Sequence, residues 1–150
     1  MREHFLDQRE PVPILPPQFQ LTADNPKPDL VLYGIPVNVD AIYGIAENHY
    51  REQGIPFEPD NIMFYVAMTL INDACGVDHI TAHAATCPYD DDRNWVIALY
   101  NNRNMTSRQF PDPEKEDRFV DIILKLLRQT DKPPKLWIWA RDQECIQNIY

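Results

Sequence analysis

The chain has 150 residues, 44% of them hydrophobic, and 23 acidic against 14 basic residues give it a formal net charge of −9. A chain of this length buries about two-thirds of the surface that it exposes when unfolded, so one domain with its own core is expected. The acidic excess argues against nucleic acid or an anionic membrane as a partner, because clustered Lys and Arg supply that affinity.

The N-terminal segment is rich in proline, with six of the chain's 14 prolines in its first 29 residues. Proline fixes φ and removes a backbone donor, which predicts an extended arm at residues 1–29 before a single α+β domain at residues 30–150. Apolar side chains lie between these prolines, so we expect the arm to pack across its own domain or onto a partner. They are Val12, Ile14, Leu15, Phe19 and Leu21.

The first half of the domain predicts one strand and two helices. Residues 30–36 are apolar and β-branched and end at a proline, as a strand does. Apolar side chains then recur at helical spacing after a cap at Asn38 or Asp40. A second helix is predicted over residues 61–74, apolar around most of its circumference, with Gly76 as a left-handed cap.

The second half predicts two strands, a helix and a last strand. Residues 79–85 and 95–100 are apolar runs around a polar loop, the pattern of a hairpin. The pair Asp112-Pro113 provides a capping side chain and a first-turn proline for a helix that ends near residue 129. Residues 136–139 supply the final strand.

This order of elements predicts an α+β fold. It matches the ferredoxin-like βαββαβ plan, an antiparallel sheet with helices on one face, and departs from it by an extra helix in the first crossover. A different α+β sandwich is the alternative.

Alternation of side chains along the strands predicts two distinct sheet faces. We expect the helices to cover an aliphatic face of Ile80, Ala82, Ala84, Val96, Ala98, Tyr100, Leu136 and Ile138. The opposite, predicted binding face would gather Tyr33, His79, Thr81, His83, Trp137 and Trp139. Apolar patches of this kind mark interfaces or ligand grooves, unless residues 1–29 cover the face as a second core layer.

Two functional hypotheses follow from this face. The first is a non-enzymatic binding domain that forms a homodimer or binds a protein partner through it. The alternative is a small enzyme or small-molecule binder with a pocket on the same face, in which His83 or His79 acts as general acid or base. Neither hypothesis requires a cofactor, and none is predicted.

The remaining candidate residues predict no metal site, and they include one candidate nucleophile. Cys75, His79, His83 and Cys87 are spaced by four, but on a strand the two histidines would lie about 13 Å apart, too far to share one ion, so no metal site is predicted. The acidic run at residues 90–92 lacks the EF-hand pattern and is interpreted as a solvated turn. Cys87 beside this turn is the most plausible cysteine nucleophile.

The cysteines and the ends of the chain indicate a compartment. Three cysteines are an odd number, at spacings that suit free thiols better than a secreted disulfide framework. The sequence has no apolar run of the roughly 20 residues that a membrane span requires, and its start lacks a signal-peptide core. We therefore expect a cytoplasmic protein with reduced thiols.

Several short segments of the sequence follow one another in a characteristic order. They are Leu32-Tyr-Gly-Ile-Pro36, a helix pair, a His/Ala-rich strand before a Pro-Tyr-Asp loop, and a terminal Lys-Leu-Trp strand. In this pattern, residues 28–140 resemble short uncharacterised proteins of mushroom-forming fungi. The resemblance implies a source and carries over no activity or site.

Overall fold

The computed structural model describes residues 13–58, 60–84 and 95–139, without the side chains of Asn61 and Trp139. The described elements are a 3-10 turn (Pro17–Phe19), β1 (Val31–Val37), α1 (Val39–Glu52), α2 (Asn61–Cys75), β2 (Thr81–Ala84), β3 (Trp95–Asn101), α3 (Pro113–Leu127) and β4 (Leu136–Trp139). The four strands form one antiparallel sheet in the order β2-β3-β1-β4. The predicted α+β class is confirmed.

Polar side chains fix where the helices begin. Asn38 caps α1 by accepting from the Asp40 N–H at 2.8 Å, which decides between the two predicted caps. Asp112 caps α3 by accepting from the Lys115 N–H at 3.2 Å, directly before the first-turn proline. Such caps satisfy N–H groups that have no partner within the helix. At its far end α2 terminates at Gly76, whose φ of 72° is left-handed, as predicted.

The three helices pack against one face of the sheet. Their buried side chains join strand residues such as Val31, Ile35 and Ile97 in the main hydrophobic core. A second cluster lies on the opposite face, and its described members are strand residues and Leu30, which precedes β1. Leu30, Leu32 and Val96 are 0% exposed, so this second face is also buried.

A β-bulge interrupts the pairing of the two central strands. Tyr33 lies opposite Tyr100, but Gly34 lies opposite Ala98, which leaves Leu99 as an extra residue on β3. An extra residue reverses the face to which the following side chains point. The two backbones approach so closely here that a β-carbon at Gly34 would overlap the carbonyl oxygen of Ile97. Only glycine fits this position without a shift of β3.

The described part of the N-terminal arm is held against the domain by a buried asparagine. The Asn102 side chain donates to the carbonyl oxygens of Phe19 and Asp29 at 2.7 and 2.8 Å and accepts from the Val31 N–H at 3.0 Å. Phe19 itself is 3% exposed and belongs to the main core. Residues 13–29 therefore pack along their own domain.

Gly34→Ala is expected to lower the free energy of unfolding by more than about 2 kcal/mol, because backbone atoms of β3 must move to admit the methyl group. Gly44→Ala is the matched control. Nothing lies within 4 Å of a β-carbon at this α1 position, and alanine in a helix gains roughly 0.5–1 kcal/mol over glycine. Urea denaturation measures both variants, and a shift of the same sign in both would contradict the close approach at Gly34.

Candidate functional site

The sheet register divides the predicted binding face between two places. Tyr33 lies opposite Trp137 on β4, and both belong to the helix-covered core. Thr81 and His83 lie opposite Ala98 and Val96, which belong to the cluster on the other face. The structure therefore brings Tyr33 together with Trp137 and separates this pair from the Thr81 and His83 side chains.

Two further members of the predicted binding face lie elsewhere. His79 precedes β2, and its ring meets the edge of Phe110 with centroids 6.1 Å apart. Burial, followed by the charges of Arg108 and Lys115, lowers the pKa of His79. The backbone of Trp139 pairs with Val31, whereas its side chain is outside the described structure.

The predicted aliphatic face is confirmed only in part. Ile80, Ala82 and Tyr100 lie in the helix-covered core, as expected. Val96, Ala98, Leu136 and Ile138 were also expected to face the helices, but all four belong to the opposite cluster. The prediction grouped strands by chemical type and assumed strict alternation along β3. The bulge breaks this alternation, because Tyr100 lies on the same face as Ile97, three residues earlier, rather than with Ala98.

Tyr33, Tyr100 and Trp137 form one wall of a cavity of about 640 Å³, here called the aromatic pocket. The Tyr33 ring lies 5.0 Å from both the Tyr100 and Trp137 rings, and Tyr100 meets Trp137 edge-on at 5.7 Å. Contacts at these separations fix ring orientation beyond simple burial. The rest of the described lining is Pro13, Ile14, Leu15, Gln20, Leu21, Asn102, Met105, Thr106, Pro111, Pro113, Glu116 and Lys135.

A nearly buried ion pair supplies the charge of the aromatic pocket. Glu116 on α3 is 3% exposed and accepts from the Asp112 N–H at 2.9 Å. Its other carboxylate oxygen lies 3.6 Å from Lys135 Nζ, just before β4. Lys135 Nζ also donates to Asp117 at 2.8 Å. One ammonium and two carboxylates therefore connect the start of α3 to the start of β4 at the aromatic pocket.

The ionisable groups of the pocket respond to this arrangement. Burial, then the Glu116 charge, raises the pKa values of both Tyr33 and Tyr100, and a side-chain hydrogen bond with Glu116 raises that of Tyr100 further. Burial alone would lower the pKa of Lys135, but the hydrogen bond to Asp117 and the Glu116 charge raise it. At neutral pH the pocket therefore contains neutral phenols and a protonated lysine.

The N-terminal arm provides the apolar wall of the aromatic pocket. Ile14 is 78% exposed and Leu21 is 48% exposed, although both line the cavity. Neighbouring Leu15 packs against the main core, and Phe19 is buried in it. Leu15 and Phe19 thus anchor the arm, while the exposed side chains of Ile14 and Leu21 lie at the open side of the cavity.

Sequence reasoning missed Tyr100, Glu116 and Lys135 as site residues. Glu116 follows the α3 cap by four positions, which marks it as a first-turn acid and gives no sign of burial. Lys135 is separated from Glu116 in the sequence by the rest of α3 and the connection to β4. The glycine within β1 is the one available signal for Tyr100, because a glycine inside a strand often marks a bulge.

Thr81 and His83 line a second cavity of about 550 Å³, the edge pocket, beside the edge strand β2. Asn72 of α2 fixes the start of this strand by binding the N–H and the carbonyl oxygen of Ile80, each at 2.9 Å. His83 Nε2 lies 2.8 Å from Thr81 Oγ1. Most of the remaining described lining is apolar or aromatic: Val39, Tyr43, Phe64, Tyr65, Met68, Ile80, Ala82 and Trp95.

Burial also shifts the pKa values of His83 and Cys75, two members of the Cys/His set that is spaced by four. It lowers the pKa of His83 to about 4, so the imidazole is neutral near pH 7. It raises the pKa of the Cys75 thiol to about 11, and this thiol is free and buried in the core. The pair at Thr81 and His83 is therefore a hydrogen-bonded neutral pair, and Cys75 is an unreactive thiol.

Within residues 13–58, 60–84 and 95–139, no three His, Cys, Asp or Glu side chains are grouped so as to hold a metal ion. Cys87 and the acidic run at residues 90–92 lie outside this part of the chain. None of the described helices has the length and apolar character needed to cross a membrane. Comparison with protein-family models, with curated proteins and with solved structures found no match.

The lowered pKa of His83 predicts a loss of stability in mild acid. The unfolded chain binds a proton at its ordinary pKa of 6.5 and the folded protein only near 4, so the contribution is complete above pH 6.5 and falls away toward pH 4. His83→Gln should flatten the fall in unfolding free energy between these values, as measured by urea denaturation at a series of pH values. An unchanged pH dependence in His83→Gln would show that the histidine titrates normally.

Proposed function

We propose that this protein binds a small, mainly apolar molecule in the aromatic pocket. The observation that carries the proposal is a cavity of about 640 Å³ that combines three mutually contacting rings with a nearly buried ion pair. Ligand sites in proteins are concave, mainly apolar, about 300–1,000 Å³ in volume, and contain few polar groups. Size and chemistry both support a ligand site here.

The rigidity of the walls supports the same function. Tyr100 and Trp137 are each 4% exposed, and Tyr100 also stacks on Phe110 with ring centroids 4.3 Å apart. Side chains held in this way lose little conformational entropy when a ligand arrives. The pocket is preorganised on its sheet side.

Binding is favoured over catalysis by the position of the histidines. The described lining of the aromatic pocket includes neither His79 nor His83, the two candidates for acid–base chemistry. Its tyrosines have raised pKa values and its lysine is protonated. Groups held in these states bind and orient a ligand but do not take a proton from it at neutral pH.

Self-association is a second candidate function. Ile62 and Tyr65, one turn apart on α2, are 65% and 71% exposed, and Tyr65 lines the edge pocket beside Thr81 and His83. An exposed apolar stripe next to an edge strand favours a second copy of the chain as its partner. Native mass spectrometry at micromolar concentration tests this, and a purely monomeric spectrum would reject it.

Two further proposals concern the fold and the cellular location. We propose a ferredoxin-like arrangement with an extra helix, supported by the strand order β2-β3-β1-β4 and the antiparallel pairing of all neighbours. A cytoplasmic protein is proposed on the free thiol of Cys75 and the odd number of cysteines. The likeness to short fungal proteins remains a proposal about source.

A neutral apolar probe, the aromatic ketone 2-acetylnaphthalene, tests this function. Ile14→Asp should weaken its binding about fivefold, because the substitution removes apolar contact and places a carboxylate on the wall of the aromatic pocket that the N-terminal arm forms. Ile55→Asp is the matched control, since Ile55 is also exposed, follows α1, and is not part of the described pocket lining. Isothermal titration calorimetry compares the two variants with the unmodified protein. Equal weakening in both, or no binding by the unmodified protein at millimolar probe, would reject the aromatic pocket as a ligand site.

A further inference from the structure

The Lys135 ammonium has hydrogen-bonding capacity that its protein contacts leave unused. Of its two acidic neighbours, Asp117 lies within hydrogen-bond distance at 2.8 Å and Glu116 lies at 3.6 Å. An ammonium carries three N–H donors. Since the Lys135 side chain is 21% exposed and lines the aromatic pocket, an acceptor on a ligand can approach it.

Most other polar side chains of the described lining are already engaged or lie toward solvent. Asn102 uses both amide hydrogens and its oxygen within the protein. The Glu116 carboxylate accepts from the Asp112 N–H and faces Lys135. Gln20 and Thr106 are exposed, where water competes for their hydrogen bonds. The Tyr100 hydroxyl is hydrogen-bonded to Glu116, and the Tyr33 hydroxyl is a neutral donor, whose hydrogen bonds are weaker than those of an ammonium. Lys135 is therefore the strongest anchor that the described lining offers to a ligand.

The charges around Lys135 restrict what that acceptor can be. One ammonium already faces two carboxylates, those of Glu116 and Asp117, so the three groups together carry one net negative charge. A carboxylate on the ligand would become a third anion around a single cation, and an ammonium on the ligand would meet Lys135 itself. An uncharged oxygen accepts a hydrogen bond from Lys135 and avoids both conflicts.

Resting on the proposed function, we propose that the natural ligand is an uncharged apolar molecule with a carbonyl or hydroxyl oxygen that accepts a hydrogen bond from Lys135. The carbon skeleton of this ligand lies between the aromatic wall that includes Tyr33 and the apolar side chains of Leu21 and Met105. The ligand class is thus defined by one neutral oxygen at one end of a hydrophobic body. Aromatic acids and amines of the same shape are excluded by charge.

Four naphthalene probes of matched shape test the inference by calorimetry on the full chain. They are 2-acetylnaphthalene, naphthalene, 2-naphthoate and 2-naphthylmethylammonium. The ketone should bind about tenfold more tightly than naphthalene, which corresponds to one hydrogen bond to a charged donor. The acid and the amine should both bind more weakly than the ketone.

Variants at the ion pair test the assigned donor. Lys135→Met alone leaves Glu116 without its cation and risks unfolding. The double variant Glu116→Gln with Lys135→Met removes both charges at similar volume, and in it the ketone should lose its advantage over naphthalene. Circular dichroism confirms that the variant is folded before its affinities are compared.

Each outcome of this experiment is decisive. Naphthoate binding as tightly as the ketone would overturn the charge argument, and naphthalene binding as tightly would overturn the oxygen anchor, while the proposed binding function would survive both. A ketone preference that persists in the double variant would remove Lys135 as the donor. If no probe binds the unmodified protein, the proposed function itself fails.

Discussion

The geometry of the aromatic pocket depends on the β-bulge at Tyr33 and Gly34. With strict alternation, Tyr100 would point to the same face as Ala98, away from the helices. The extra residue Leu99 turns Tyr100 to lie opposite Tyr33, where the two rings stack 5.0 Å apart. The absence of a side chain at Gly34 permits the close backbone approach that this requires. A single small residue in β1 thus sets the composition of a wall formed by three strands.

The Glu116 carboxylate connects this wall to the helices. Removing a charge from water costs several kcal/mol, and its partners rarely return a net gain in stability. Here the carboxylate is bonded to the N–H of the α3 cap and faces Lys135 at the start of β4. An ion pair of modest value to stability, placed beside three aromatic rings, is better explained by its effect on the pocket. It fixes the position and protonation of the one cation in the described lining.

Local structure was predictable from the sequence, whereas the composition of the site was not. Caps at Asn38 and Asp112 and the left-handed Gly76 mark helix ends through interactions within a few residues, which a sequence displays directly. The face to which Tyr100 points depends on pairing between distant strands and on one inserted residue. Lys135 meets Glu116 only after α3 has packed on the sheet. The contact between Lys135 and Glu116 has no local signature, and a glycine within β1 indicates a bulge without identifying which side chain of the paired strand changes face, so alternation assigned the wrong neighbours.

The overall charge of the chain agrees with the local chemistry of the pocket. A net charge of −9 produces a negative potential that slows and weakens the approach of anions at low ionic strength. The summed charge of Lys135 and its two acidic neighbours is also negative, because two carboxylates lie beside one ammonium. A cationic ligand would be attracted from a distance yet opposed at contact by Lys135. A neutral ligand is affected by neither field, and the exposed apolar side chains of Ile14 and Leu21 supply the attraction that charge does not.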